Sequence, residues 1–229
     1  MKKINGMHMN KVIFILLTLF SFSALANSVL SMKERSALID TILEQRFSDV
    51  LPEIMEREGI DMWVLMSREY NEDPVLKTML PSTWLAARRH TMLVIYNPGD
   101  GRPLEKLAVA RYAVGSLFEK AWDKEAQPDQ WQALKHIIES RNPTKIAINT
   151  SDAFALADGM TSTEYNRFMA TLSDEFKRRV VSGEMLAIGW LETRSELEMK
   201  HYPALAQIGH SLIATAFSNE VITPNVTTT

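Results

Sequence analysis

Residues 51–66, LPEIMEREGIDMWVLM, decide the fold class of this chain. In their first half, apolar residues recur at three- and four-residue steps, as on one face of an amphipathic helix. Gly59 then supplies a residue at which helices commonly end. The second half, residues 62–66, is a continuous apolar run, which is typical of a strand buried on both faces of a sheet. A helix that leads directly into such a strand predicts a layered α/β domain.

The helical pattern also extends upstream of this stretch. An apolar stripe at helical spacing runs through Leu38, Ile42 and Phe47. Because Pro52 lies inside the pattern and lacks a backbone N–H, we predict two consecutive helices rather than one. Ser48 or Asp49 is the expected cap of the second helix.

Downstream, strand and helix patterns alternate. Residues 91–97 and 105–111 are strand-like and flank the turn sequence PGDGRP, which predicts a hairpin. Residues 128–143 predict a helix and residues 145–149 a short buried strand. Residues 161–172, TSTEYNRFMATL, predict a helix that opens with a Ser/Thr–Glu capping box. The expected fold is therefore a mixed β-sheet flanked by helices.

The chain begins like an exported protein. Lys2, Lys3 and Lys11 precede an uncharged apolar run at 12–22, and Ala24-Leu25-Ala26 follows. This pattern predicts a signal peptide over residues 1–26, cleaved after Ala26, and a secreted or periplasmic protein. An uncleaved membrane anchor is the alternative, although the run is shorter than the ~20 residues that a span needs.

Composition excludes several classes of function. Loss of the signal peptide would remove three lysines from a chain whose net charge is already −3, which argues against a nucleic-acid partner. The basic clusters at 88–90 and 177–179 are interpreted as solvated edges of secondary structure. The chain contains no cysteine, so disulfides, thiolate zinc sites and cysteine nucleophiles are excluded.

No catalytic or metal-binding pattern is found in the sequence. No two of the five histidines have the i, i+4 spacing of metal sites, and the serine-hydrolase elbow and the phosphate-binding loop are missing. One candidate loop follows the predicted strand 62–66, where ligands commonly bind in open α/β sheets. It consists of Arg68, Glu69, Tyr70, Asn71, Glu72 and Asp73. The alternative is a solvated connection in which Asp73 caps a helix beginning at Pro74.

The last stretch is helix-forming over residues 183–217, with a break near residues 193–195 and a new helix start at Ser195. Leu205, Ile208, Leu212 and Ala216 form an apolar stripe with no local segment to cover it. Because an isolated amphipathic helix is only marginally stable in water, the stripe predicts a packing partner.

Two segments resemble a known family. Residues 35–71 resemble the opening of the creatinase and prolidase N-terminal domain, with its helices, Gly-Ile-Asp step and buried strand. Residues 190–228 are similar to the joint between that domain and the catalytic pita-bread domain. In the family, the first catalytic-domain helix opens with an Arg, a Ser and acidic residues, matched here by Arg194, Ser195, Glu196 and Glu198.

The turn that ends this helix in the family is matched by residues 224–227. Two departures stand out. Asn225 replaces the usual glycine, although asparagine also tolerates left-handed geometry. Pro203 falls inside the joint helix and is expected to kink it.

The resemblance implies a creatinase N-terminal-like domain at 27–194, with ribonuclease-H-like layering. Residues 195–229 would be the linker and first helix of a truncated pita-bread domain. Family peptidases, the Xaa-Pro aminopeptidases and prolidases, are hydrolases that cleave beside proline with two Mn, Co or Zn ions. Their ligands, two Asp, one His and two Glu, would all lie beyond Thr229. We therefore expect no cofactor and no catalytic or metal-binding residue in this chain, which would be inactive alone.

The function implied is that of the recognition and oligomerisation portion of an exported metallopeptidase. The loop at 68–73 would contribute to substrate access or to a dimer interface. The expected partner is a second copy of the chain or the missing catalytic domain. A peptide would be the substrate only of the full-length enzyme, and no membrane contact is expected after signal cleavage.

The alternative function is that of a free-standing, non-catalytic binding or partner-capping module. An unrelated α/β enzyme is a third possibility, which is disfavoured because the sequence contains no catalytic constellation.

Overall fold

The computed structural model describes residues 29–228. The predicted signal peptide lies outside these residues. The described chain divides into a compact unit of residues 37–200 and a second unit of residues 29–36 and 201–228. Within residues 29–228, every helix is too short or too polar to cross a bilayer.

The compact unit is built on a six-stranded mixed sheet in the order β4-β3-β2-β1-β5-β6. β1 pairs in parallel with β5 and antiparallel with β2, while β5–β6 and β3–β4 are parallel and β2–β3 is antiparallel. The predicted α/β class with a mixed, helix-flanked sheet is confirmed. The strands are β1 Met62–Arg68, β2 His90–Tyr96, β3 Glu105–Val109, β4 Glu119–Lys120, β5 Ile146–Ile148 and β6 Val180–Ser182.

α-Helices precede β1, follow β6 and lie between several of the strands in the chain. The helices are α1 Met32–Gln45, α2 Leu51–Glu58, α3 Pro74–Lys77, α4 Gln130–Arg141, α5 Ser162–Thr171, α6 Asp174–Lys177, α7 Glu184–Glu192 and α8 Glu196–Ala216. A single 3₁₀ turn spans Ala155–Ala157.

β1 shows why the sheet has a hydrophobic core on each face. Its side chains alternate, so that Trp63 and Leu65 pack in one cluster with residues of α2 and α7. Met62, Val64 and Met66 pack in the other cluster, with residues of α4 and α5. All of these strand residues are buried, as the continuous apolar run predicts.

The connection between α1 and α2 differs from the prediction. Two helices form, but the expected cap at Ser48 or Asp49 is wrong, because a π-helical turn, Arg46–Val50, joins them without a side-chain cap. The backbone stays helical throughout, and Pro52 falls in the first turn of α2. Pro52 lacks a backbone N–H and so removes one donor next to the π-helical turn, but it does not end the helical backbone. Gly59 ends α2 with φ of 61°, as predicted.

The start of α8 is held by a capping box, as the new helix start at Ser195 predicts. The Glu198 backbone N–H donates to Ser195 Oγ, and Glu198 Oε2 accepts from the Ser195 N–H at 2.7 Å. The same carboxylate oxygen lies 2.7 Å from Nη1 of the buried Arg46. Arg46 also donates to the carbonyls of Thr193 and Trp190 at the end of α7.

In the second unit, α8 continues through Pro203 and contains no buried residue. Leu205 and Leu212 are 60% and 66% exposed. Ile208 is half-buried, and Ala216 is exposed. Beyond the helix, Asn225 adopts a left-handed φ of 64°.

Candidate functional site

Several chain segments meet at one edge of the sheet. β1 ends there at Arg68, β3 ends at Val109, and β5 is followed there by Asn149. Since β2 runs antiparallel to β1, its first residue, His90, lies at the same edge, opposite Arg68. We call this the carboxyl edge. Ligands of open α/β sheets commonly bind at this edge, so it contains the candidate site.

The predicted loop divides into an outward half and an inward half. Arg68 and Asn71 exchange backbone hydrogen bonds, which closes a tight turn through Glu69 and Tyr70. Tyr70 has φ of 71° and is 93% exposed, so the turn directs an aromatic side chain into solvent. Left-handed backbone is uncommon for a bulky residue and places such a side chain where an extended strand would not. This outward half, with Glu69 and Glu72, is an accessible contact surface.

The inward half ends at Asp73, which is fully buried. Its Oδ1 accepts hydrogen bonds from the backbone N–H groups of Val75 and Leu76, so it caps α3 as the alternative interpretation predicts. Asn149 Nδ2 donates to both carboxylate oxygens, at 3.1 and 2.9 Å. Trp63 Nε1 in turn donates to Asn149 Oδ1 at 2.8 Å. Asp73 is therefore a structural residue rather than a ligand-binding one.

Two glycines leave room for this buried network. A Cβ added to Gly159 would lie 2.1 Å from Asp73 Oδ2. One added to Gly183 would lie 3.1 Å from Trp63 Nε1 and 3.2 Å from Asn149 Oδ1. The positions of the polar groups therefore depend on the absence of side chains at both glycines.

Burial raises the pKa of the Asp73 carboxyl above its ordinary value, and the hydrogen bonds from Leu76, Asn149 and Val75 oppose that rise. The negative charge of Glu164 adds a smaller upward contribution. Burial disfavours the charged carboxylate more than the hydrogen bonds favour it. Ionised Asp73 therefore lowers the free energy of unfolding relative to protonated Asp73.

A second polar cluster at this edge is not predicted by the sequence. Glu164, in α5, is buried, and its Oε1 lies 2.9 Å from His90 Nε2 and 3.5 Å from Arg68 Nε. The predicted capping box forms only in part: the Glu164 N–H donates to Thr161 Oγ1, while the carboxylate points to His90 and Arg68. His90 Nε2 is close to that carboxylate but not aligned with it, and it has no hydrogen-bond partner among residues 29–228.

An open cleft of about 430 Å³ adjoins His90. His90 Nδ1 lies 3.1 Å from Gln130 Oε1, and Gln130 Nε2 donates to the carbonyls of His90 and Val109. The Arg167 guanidinium lies over the Trp131 ring at 5.1 Å. Because the Trp131 ring is buried and covered by Arg167, the cleft presents the His90 imidazole and the Arg167 guanidinium as groups that could bond to a polar ligand.

The interpretation of residues 88–90 as a solvated edge is correct for the two arginines and wrong for His90. Arg88 and Arg89 are exposed, and Arg88 lies over the Trp84 ring at 4.3 Å. His90 is half-buried because it begins β2 and faces α4 and α5 rather than solvent. Its position directly before the apolar run at 91–95 is the one available sequence signal.

Within residues 29–228, no group of three or more His, Cys, Asp or Glu side chains is placed to hold a metal ion. No protein-family model matches the chain, and no curated protein matches it.

Proposed function

We propose that this chain is the N-terminal recognition and oligomerisation portion of an exported Xaa-Pro aminopeptidase-like metallopeptidase, without a metal site of its own. The fold proposed is the creatinase N-terminal-domain type with ribonuclease-H-like layering. The mixed sheet with a hydrophobic core on each face supports that assignment.

The observation that carries the proposal is the uncovered apolar stripe of α8. Leu205 and Leu212 expose most of their surface, and neighbouring Ile213 is 59% exposed. Fully burying a leucine or isoleucine side chain is worth about 1.5–3 kcal/mol, so a stripe of this size favours a partner. We propose a pita-bread catalytic domain with two divalent metal ions as that partner, with Xaa-Pro peptides as substrates of the assembled enzyme.

The outward turn of the carboxyl edge is the proposed contact for substrate access or for a second protomer. Tyr70 offers a rigid aromatic surface beside the charged Glu69 and Arg89. Aromatic residues are enriched in protein interfaces, and their rims are polar.

The test compares residues 27–229 with the double variant Leu205→Gln/Leu212→Gln. Multi-angle light scattering should show open-ended, concentration-dependent association of the unaltered chain and less association of the variant. Gln207→Ala, also exposed on α8, is the matched control and should behave like the unaltered chain. A discrete dimer that the double variant dissociates would instead favour a free-standing module. A monomer at all concentrations would contradict the proposed role of the stripe.

A second assay measures activity. Residues 27–229 with added Mn²⁺ should not cleave an Xaa-Pro peptide, because the proposed metal ligands belong to the catalytic domain. Metal-dependent cleavage by this chain alone would overturn the proposal. An in-frame continuation after codon 229 that encodes two Asp, one His and two Glu in pita-bread order would support it.

A further inference from the structure

The opposite edge of the sheet contains a larger cavity. We call it the amino edge, since β1 and β3 begin there. The cavity is about 770 Å³, within the ~300–1,000 Å³ range of small-molecule sites. Its accessible apolar lining comes from Pro52 in α2 and from Pro103 and Leu104 before β3. Phe47 in the π-turn, Met55 and Ile60 also border the cavity but are themselves buried.

Lys106 is the half-buried cation of this cavity. Its Nζ lies 5.2 Å from the centre of the Phe47 ring and makes no hydrogen bond or ion pair with any other described residue. Burial lowers the pKa of the Lys106 ammonium, and the attraction of Glu44 only partly opposes that shift. An ammonium group in such a place usually has a direct counter-charge.

The other charged groups of the lining do not supply that counter-charge. Asp61 is occupied, because its carboxylate accepts the N–H groups of Thr144 and Lys145 at 2.7 and 2.8 Å. Arg102 is itself a cation, and it donates to the carbonyl of Pro98. Glu56 and Asp100 are exposed at the rim. These rim acids would repel a ligand with two negative charges more strongly than a ligand with one.

We propose that the amino-edge cavity binds a small organic monocarboxylate with an apolar body. The carboxylate would pair with Lys106 Nζ, and the hydrocarbon part would lie against Pro52, Pro103 and Leu104. A monocarboxylate with an apolar body matches the Lys106 ammonium beside apolar lining residues, and a charge-assisted hydrogen bond to this ammonium would be a strong contact. The proposal does not depend on α8 or on peptidase activity.

The test uses octanoate as the probe, with octanol and octylamine as ligands of matched chain length. Binding to residues 27–229 is measured by isothermal titration calorimetry, and the site is located from backbone amide shifts. Octanoate should bind at least about tenfold more tightly than octanol, equivalent to about 1.4 kcal/mol. Octylamine should not bind.

Substitutions of Lys106 test whether this side chain accounts for the preference for octanoate. Lys106→Met keeps the length of the side chain and removes its charge, so octanoate affinity should fall about tenfold while octanol binding is unchanged. Lys106→Arg should retain most of the octanoate affinity. Lys120→Met, at an exposed lysine of β4 outside the cavity lining, is the matched control. Equal binding of octanoate and octanol, unchanged binding to Lys106→Met, or amide shifts away from residues 47–61 and 97–106 would overturn the proposal.

Discussion

The two edges of the sheet hold their charged groups in opposite ways. At the carboxyl edge, the buried carboxylates of Asp73 and Glu164 have protein partners on several sides. At the amino edge, the half-buried Lys106 ammonium lies over the Phe47 ring and is attracted by Glu44, but it makes no direct ion pair with a described carboxylate. The first arrangement fixes the fold, because both buried carboxylates already have partners within it. The second leaves a contact for a ligand to make. Proximity to the ends of parallel strands therefore does not by itself identify a binding residue.

The largest expected effect is that of Asp73→Ala. It removes the acceptor for two backbone N–H groups and for Asn149, and leaves them buried. The free energy of unfolding, measured by urea titration, should fall by about 3 kcal/mol or more. The matched control is Asp129→Ala, which removes an exposed cap from α4 and should cost about 1 kcal/mol. Equal losses would show that burial of the network adds nothing.

Gly159→Ala tests the same edge without removing any polar group. Because the new Cβ would meet the Asp73 carboxylate at 2.1 Å, the variant must displace either α3 or the loop before α5. We expect a loss of about 2 kcal/mol in the free energy of unfolding. Gly209→Ala is the control, since a Cβ at this helical position meets no atom within 4 Å. That change should be neutral or slightly stabilising, and a similar loss in both variants would contradict the predicted clash.

The pH dependence of stability follows from Asp73. Its folded pKa lies above its ordinary value of 3.8, so the folded state binds the proton more tightly than the unfolded chain does. Below pH 3.8, Asp73 is protonated in both states and its ionisation does not lower stability. As the pH rises towards and through the raised pKa, the free energy of unfolding falls by at most about 1.4 kcal/mol per pH unit.

Unfolding of the unaltered chain and of Asp73→Asn is compared between pH 3.5 and pH 7, because the variant removes the titration of this carboxyl group. The unaltered chain should gain stability relative to Asp73→Asn as the pH falls. A stability difference that is independent of pH, or one that changes in the opposite direction, would refute the assignment.

The smallest expected effect is at the amino edge. Lys106→Met replaces a partly desolvated charge by an apolar side chain of similar length beside Phe47. It should raise the free energy of unfolding at pH 7 by less than about 1 kcal/mol. Lys120→Met should change it by no more than about 0.5 kcal/mol in either direction. A clear loss in Lys106→Met alone would mean that the ammonium has a stabilising partner within the fold.

Local patterns predict the fold of this chain well. The run at 62–66 becomes β1, the PGDGRP turn joins β2 to β3, and the helix predicted over residues 128–143 buries Trp131, Leu134, Ile137 and Ile138 as α4. β4 and β6 were not predicted, because strands of two and three partly exposed residues have no periodic pattern. The resemblance to the creatinase and prolidase N-terminal domain stays a prediction.

The candidate site is predicted only where its contacts are local. The Asp73 cap joins residues two and three positions apart, and the sequence anticipates it. The bond from Asn149 to Asp73 spans 76 residues. The contact between His90 and Glu164 likewise joins β2 to α5. Such pairs depend on strand order and on helix placement, which no single segment specifies.

The π-turn before α2 has a mechanical consequence. Its residue Arg46 lies near the start of the compact unit and bonds to Thr193 and Glu198 near the end of that unit. A tensile force applied between residues 37 and 200 therefore loads this guanidinium, and the bond from the Leu197 N–H to Gln45 Oε1, before it reaches the strands. The unit should yield first by releasing its two ends, while the sheet remains intact.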